Sequence, residues 1–182
     1  MITPLDPAGY ARTHWKNGGG VTTDIAFDGD VWRFSRTPIT APGPFSDYSG
    51  FDRLQVLVMG SGLVLQTPSG EIDVRRPFRP VRFAGETPIV SRLEAGPVDV
   101  VNLLGARSKV RIDLVVFEAG QQRRLGQGIH IAYCPERPAA LHLAGKTREL
   151  RANGSLRIED FDGVAACSAG LIVLGSISCV SP

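Results

Sequence analysis

The residues with the clearest capacity for chemistry lie near the start of the chain, in Trp15-Lys16-Asn17-Gly18-Gly19-Gly20. Lys16 supplies a positive charge, Asn17 supplies a hydrogen-bond donor and an acceptor, and the glycines leave peptide N–H groups uncovered. Successive uncovered N–H groups can form a concavity that binds an anion. The alternative is a tight turn at Asn17-Gly18 with Trp15 in the core. On spacing alone the turn is favoured, because short motifs often match by chance.

Further polar residues lie inside strand-like runs. Asn102 has apolar neighbours throughout residues 98–104, which predicts a buried amide. Such an amide costs about 1–3 kcal/mol when unpaired, so it bonds either a ligand or a neighbouring loop. Arg33 and Ser35 share one face of another strand, opposite two aromatic residues. They are either exposed to solvent or line a polar interior, and the sequence leaves both open.

Composition and motifs argue against several functional classes. The 20 basic and 18 acidic residues give a net charge of +2, which provides no electrostatic reason to expect nucleic acid or a membrane as partner. His14, His130 and His142 have no second histidine or cysteine at metal-binding spacing, so we expect no metal and no cofactor. The sequence also contains no nucleophile elbow and no phosphate loop.

Length and patterning favour one domain spanning residues 1–182. Hydrophobic residues make up 43% and charged residues 21%, which is typical of a soluble globular protein. Residues 1–10 lack the apolar run of a signal peptide, and no segment approaches the roughly 18 apolar residues of a membrane span. The three cysteines form no CxxC pair. We therefore expect a cytoplasmic protein with reduced cysteines.

Alternating apolar and polar residues, rather than a helical period, predict an all-β fold. About a dozen short strands at regular spacing indicate a sandwich or a barrel. Residues 53–59 are mostly apolar, which predicts a strand buried on both faces. Residues 37–50 contain three prolines and two glycines, which predicts no regular element there. Asn153-Gly154 predicts a β-hairpin.

Five motifs occur in the order and spacing of the HutD/Ves family, which the chain resembles from Trp15 to Asn102. They are Trp15-Lys16-Asn17-Gly18-Gly19-Gly20, Trp32-Arg33-Phe34-Ser35, Gly43-Pro44-Phe45-Ser46, Phe51-Asp52-Arg53 and Val100-Val101-Asn102-Leu103. The resemblance implies a cupin-like (RmlC-like) β-barrel of two packed barrel-like halves, a bicupin, in a small cytoplasmic bacterial protein associated with histidine utilization or environmental stress. By motif position it implies a pocket lined by Lys16, Asn17, Ser35, Phe45, Ser46, Arg53 and Asn102. The chain lacks the histidine pair and glutamate of metal-dependent cupins, so no metal is implied.

The leading functional hypothesis is a metal-independent protein that binds a small carboxylate, as a regulator or accessory factor of histidine utilization or the stress response. Lys16, Arg53 and the N–H groups of the glycine turn would suit a carboxylate, which arginine can meet with two parallel hydrogen bonds.

Two alternatives stay open. A metal-independent cupin enzyme, an isomerase or hydrolase of a small carboxylic acid, would need a general base, and the candidates are Asp24, Asp52, His14 and Asp99. None is marked out by its neighbours, so an enzyme is less favoured. A homodimeric interaction protein could use an edge strand, or the loop that carries Phe45 and Tyr48.

Overall fold

A computed structural model describes residues 1–15 and 20–180. These residues form strands joined by turns, together with one short 3-10 helix at Pro7–Gly9. The all-β prediction is therefore confirmed. Among the described residues no helix has the length and apolar character needed to cross a bilayer.

The described residues contain nineteen strands, more than the dozen predicted, because short strands also form at Ile2–Leu5, Ala11–His14, Gly43–Pro44 and Gln122–Leu125, where the alternation indicated none. They are β1 (Ile2–Leu5), β2 (Ala11–His14), β3 (Val21–Asp28), β4 (Trp32–Ile39), β5 (Gly43–Pro44), β6 (Phe51–Met59), β7 (Leu63–Thr67), β8 (Gly70–Val74), β9 (Val81–Ala84), β10 (Val90–Leu93), β11 (Val98–Ala106), β12 (Val110–Glu118), β13 (Gln122–Leu125), β14 (Ile129–Tyr133), β15 (Ala139–Leu143), β16 (Lys146–Leu150), β17 (Ser155–Glu159), β18 (Gly163–Ala169) and β19 (Leu171–Cys179).

The strands form two halves, each made of a larger and a smaller antiparallel sheet. The N-terminal half contains a six-stranded sheet in the order β2-β3-β4-β11-β6-β9 and a four-stranded sheet in the order β5-β10-β7-β8. The C-terminal half contains a five-stranded sheet, β1-β17-β14-β19-β12, and a four-stranded sheet, β13-β18-β15-β16. Strand β1 precedes the N-terminal half in sequence but pairs with β17, so the start of the chain ties the two halves together.

The two larger sheets pack against each other through their outer faces. Phe34 and Leu103 of the six-stranded sheet share one buried cluster with Ile131, Tyr133 and Val173 of the five-stranded sheet. The Phe34 and Tyr133 rings meet edge to face, with centroids 6.2 Å apart. Because the other face of the six-stranded sheet looks into its own half, residues 53–58 are buried on both faces, as predicted, whereas Met59 at the end of the predicted strand is exposed.

A close approach at this interface requires a glycine. In β19, a Cβ at Gly175 would lie 2.8 Å from Cδ2 of Phe34, closer than real side chains come. Gly175 thus lets the aromatic ring sit directly on the backbone of the opposing sheet.

Two local predictions are wrong. Strand β4 continues through Pro38, which lies opposite Asp99, and Gly43–Pro44 forms a short edge strand. In β4, only residues 32–36 pair with β3. Proline is therefore tolerated at residue 38, because no hydrogen bond from that residue to β3 is lost. Asn153-Gly154 does not close a hairpin, since β16 pairs with β15 while β17 pairs with β14 and β1. The turn instead carries the chain from one sheet to the other.

Candidate ligand-binding site

The N-terminal half contains a cavity of 740 Å³, a volume suited to a small ligand. Strands β4, β6 and β11 form its floor, and the segment 39–48 together with residues 13–15 forms its mouth. The segment 39–48 is held in place through Ser91, whose hydroxyl donates to the Gly43 carbonyl at 3.1 Å, and through Phe45, whose N–H donates to the Ile89 carbonyl at 2.9 Å.

Four buried polar side chains lie side by side across the six-stranded sheet. Asp24 of β3 is opposite Ser35 of β4, Ser35 is opposite Asn102 of β11, and Asn102 is opposite Gln55 of β6. Residues directly opposite on antiparallel strands project to the same face, so the pairing alone aligns these four, which we call the polar row. All four are buried. The burial predicted for Asn102 is confirmed.

The amides of the polar row belong to a chain of hydrogen bonds that reaches the mouth. Gln55 Nε2 donates to Asn102 Oδ1 at 3.0 Å, and Asn102 Nδ2 donates to Thr37 Oγ1 at 3.4 Å. The Thr37 hydroxyl lies 3.1 Å from that of Thr22, which accepts from Trp15 Nε1 at 3.0 Å. Gln55 Oε1 is buried and has no hydrogen-bond partner among the described residues. The chain of hydrogen bonds therefore ends on an unused acceptor.

Arg53 is a buried cation surrounded by aromatic rings. Its guanidinium carbon lies 5.1 Å from the ring centroids of Phe45 and Phe83 and 5.4 Å from that of Tyr48. The residue is 7% exposed, and within the described chain its side chain has no ion pair and its Nε has no hydrogen bond. Burial lowers the pKa of Arg53 to about 10, so the guanidinium is still charged at neutral pH. A positive charge that no described residue pairs thus lines the cavity.

Arg33 also lines the cavity, but its charge is compensated. Its Nε lies 3.5 Å from Asp24 Oδ1, an ion pair without a hydrogen bond. The hydroxyl of Thr13 donates to the other oxygen, Asp24 Oδ2, at 2.6 Å. Leu104 separates the two arginines, because it is opposite Arg33 on one side and Arg53 on the other. Among the described cations of the cavity wall, Arg53 is therefore the one whose charge is not compensated.

The structure brings five of the seven predicted site residues to the cavity wall: Ser35, Phe45, Ser46, Arg53 and Asn102. Lys16 and Asn17 lie outside the described residues. Sequence reasoning missed Gln55, which also lines the cavity. The argument applied to Asn102 would have found it, since Gln55 is likewise a lone amide among apolar residues.

Among the four candidate bases, two are occupied away from the cavity. Asp52 binds Arg82 and Arg107, and Asp99 binds Arg36. His14 lines the mouth of the cavity, and Asp24 is engaged as described above. The structure therefore distinguishes no general base among them. No group of three or more possible metal ligands occurs in residues 1–15 and 20–180.

Comparison with known proteins decides the family. The HutD family model matches residues 8–171. The chain belongs to the HutD family. A Pseudomonas putida relative, described as an uncharacterized 21.2 kDa protein in the hutC 3′ region, is 28% identical over 160 residues, covering 84% of each chain.

Solved structures support the same fold over the whole chain. A conserved protein of unknown function from Pseudomonas aeruginosa PAO1 gives a TM-score of 0.87 at 24% identity, and HutD from Pseudomonas fluorescens SBW25, solved in a formate condition, gives 0.85 at 22% identity. Both matches cover 100% of each chain. A cupin 2 conserved barrel domain protein from Leptotrichia buccalis gives 0.54 at 10% identity, covering 87% of this chain and 88% of the other. The cupin-like fold is confirmed, although each half is a pair of sheets and not one continuous closed barrel.

Proposed function

We propose that this HutD-family protein binds a small carboxylate in the cavity of its N-terminal half, without a metal, as a regulator or accessory factor of histidine utilization. The observation that carries the proposal is the Arg53 guanidinium, which is charged, buried and unpaired by any described residue. Three aromatic rings surround the cation, and no described carboxylate lies within ion-pair distance of it.

The energetics of burial favour an anionic ligand. A buried charge is costly unless it is paired and hydrogen-bonded. The three rings around Arg53 offset part of this cost, because the face of an aromatic ring attracts a cation. They offer no acceptor in the plane of the guanidinium. A carboxylate does, because its two oxygens match two parallel N–H donors.

The physiological part of the proposal rests on relatives. One relative lies in the hutC 3′ region, and a structural neighbour carries the name HutD. These names connect the family with histidine utilization, whose intermediates include carboxylic acids. A regulator or accessory factor fits a cavity that has a binding residue but no distinguished base.

Titration calorimetry with urocanate, formylglutamate, glutarate and formate tests the proposal. We expect at least one acid to bind the wild type, and Arg53→Met to weaken that binding about tenfold or more, because hydrogen bonds to charged groups contribute about 1.5–3 kcal/mol. Arg124→Met is the matched control, since Arg124 is an exposed arginine of the C-terminal half. No binding by any of the acids at 10 mM, on the order of a 3 kcal/mol interaction, or equal binding by Arg53→Met, would refute the proposal.

The pH dependence gives a second test. Arg53 must carry its charge to bind a carboxylate, and its pKa in the free protein is about 10. Affinity should therefore be constant between about pH 6 and 9, where the ligand is ionised and Arg53 is protonated. Above pH 10 it should fall by about tenfold per pH unit, since each unit removes a further tenfold of the charged form. A decline beginning near pH 7 would point to another group.

A further inference from the structure

We propose that the ligand of the cavity carries a hydrogen-bond donor, an N–H or O–H group, a few bonds from its carboxylate, and that Gln55 recognises this donor. The inference rests on the proposed function, because it places the carboxylate at Arg53. It adds a second recognition element, and it divides small acids into those that the cavity accepts and those that it rejects.

The direction of the hydrogen bonds in the floor leads to this inference. Gln55 uses its Nε2 group to donate to Asn102 Oδ1, and Asn102 uses its Nδ2 group to donate to Thr37. In this arrangement the donors of both amides are directed along the row and away from Gln55 Oε1. No described residue donates to that oxygen. What the floor lacks is a donor.

The missing donor has an energetic consequence. Gln55 is 1% exposed, so its free oxygen cannot be satisfied by bulk solvent. A buried acceptor left unpaired costs about 1–3 kcal/mol. Proteins pair nearly all such groups, and the exceptions call for an explanation. Gln55 lines the cavity, so a ligand donor in the cavity would pair with its oxygen after a small rotation of the amide.

The spacing along β6 sets the geometry of the ligand. Arg53 and Gln55 are two residues apart and project to the same face, with Cα atoms about 6.8 Å apart. A ligand whose carboxylate meets the guanidinium can present a donor to the amide when two to four bonds separate the two groups. Hydroxy acids and N-acyl amino acids have this arrangement. Simple fatty acids and oxo acids do not.

The difference in affinity between an acid with the donor and an analogue without it should be large, although the two molecules differ by one group. A site built to hydrogen-bond an O–H or N–H group rejects an analogue without it, because the buried polar group of the site is then left unpaired. An analogue with a methylene or methyl group in place of the donor would press carbon against Gln55 Oε1. The loss of binding free energy would arise at the Gln55 amide, while the contact between the carboxylate and Arg53 is unchanged.

The experiment compares two pairs of acids that have the same shape. N-acetylglycine and 4-oxopentanoate differ by N–H against CH₂, and 3-hydroxybutanoate and 3-methylbutanoate differ by O–H against CH₃. For at least one pair, we expect calorimetry to show the donor-bearing acid binding wild type about ten- to hundredfold more tightly. In Gln55→Leu this preference should fall to about twofold or less, because the acceptor is gone. Gln55→Met is a second apolar variant, used should Gln55→Leu not fold, because methionine adapts to irregular space.

Each outcome bears on one of the two proposals. Equal binding of both members of each pair to wild type would overturn the inference. If Arg53→Met then abolished the binding of these acids, the proposed function would still stand. A preference that persists in the apolar variants would also overturn it, because the donor would then be read by another residue. If none of the four acids binds wild type, the inference falls. The proposed function falls as well only if the four acids of its own test also fail to bind.

Discussion

The two halves of the molecule share one architecture but fill it differently. In the C-terminal half, the space between the two sheets is occupied by apolar side chains, including the fully buried Leu141, Leu143 and Ile158. In the N-terminal half, the corresponding face carries the polar row and Arg53, and a cavity remains above it. The difference shows that a few polar side chains at inward-facing strand positions distinguish a half that contains a cavity from a half that is filled.

The halves are also joined by a polar contact next to the site. Arg36 lies on β4 between Ser35 and Thr37, and its side chain projects to the other face of the sheet. It donates to Asp99 at 2.8 Å within its own half, and to Tyr133 at 3.1 Å and Asn153 at 2.6 Å across the interface. The strand that carries part of the cavity floor is thus fixed directly to the filled half.

The largest expected effect on stability comes from creating a cavity in the apolar core of the C-terminal half. Leu141→Ala should lower the free energy of unfolding by about 2–5 kcal/mol, because it removes buried methyl groups and leaves an enclosed cavity. Leu104→Ala, in the wall of the existing cavity, should lower it by less, because no new enclosed space is created. Urea denaturation followed by circular dichroism measures both. Equal losses would contradict the contrast between a filled and a hollow half.

Breaking the polar contact between the halves should have the next largest effect. Arg36→Met leaves the Asp99 carboxylate without its ion-pair partner and removes one of the two donors to Asn153 Oδ1, and we expect a loss of about 3 kcal/mol. Arg92→Met, which removes two exposed ion pairs, is the control and should cost much less. Calorimetric unfolding measures the two variants. Similar melting temperatures for them would show that the contact contributes little.

A smaller effect, the stabilisation by bound ligand, should distinguish a residue that binds the ligand from one that only supports the fold. At a carboxylate concentration of ten times Kd, the wild type should gain about 1.4 kcal/mol of stability through ligand binding. Arg53→Met should lose this gain, whereas Leu141→Ala should keep it despite its lower starting stability. Thermal shifts with and without ligand measure the gain. A gain that disappears in Leu141→Ala would mean that the C-terminal half takes part in binding.

The smallest effect concerns pH and the C-terminal half. His130 is buried and contacts Ser176 Oγ at 2.8 Å and the Gly126 carbonyl at 2.9 Å, and burial holds its pKa below the usual value. The unfolded chain therefore binds a proton more readily, so stability should be complete above about pH 6.5 and decrease as the pH falls below it. His130→Gln should flatten this dependence, as measured by urea unfolding between pH 5 and 8. An unchanged slope in the variant would assign the dependence to other groups.

The sequence by itself determined the strand character, the family and five residues of the cavity wall. The two-residue period of a β-strand places Arg33 on the same face as Ser35, because this period is a local property of the backbone. The apolar neighbours of Asn102 predict its burial directly. The sequence could not say whether the face carrying Arg33 and Ser35 is inside or outside. That depends on which sheet covers the face, and the covering sheet comes from residues far along the chain.

Only the tertiary structure decided the pairing and the charge balance. The alignment of Asp24, Ser35, Asn102 and Gln55 follows from the registers of four strands, and Asn153-Gly154 turns between sheets because long-range pairing prevails over local turn preference. Whether Arg53 has a counter-ion likewise depends on every residue that folds around it. The chain therefore encodes a cation at residue 53 locally, and only the fold shows that no anion among the described residues pairs with it.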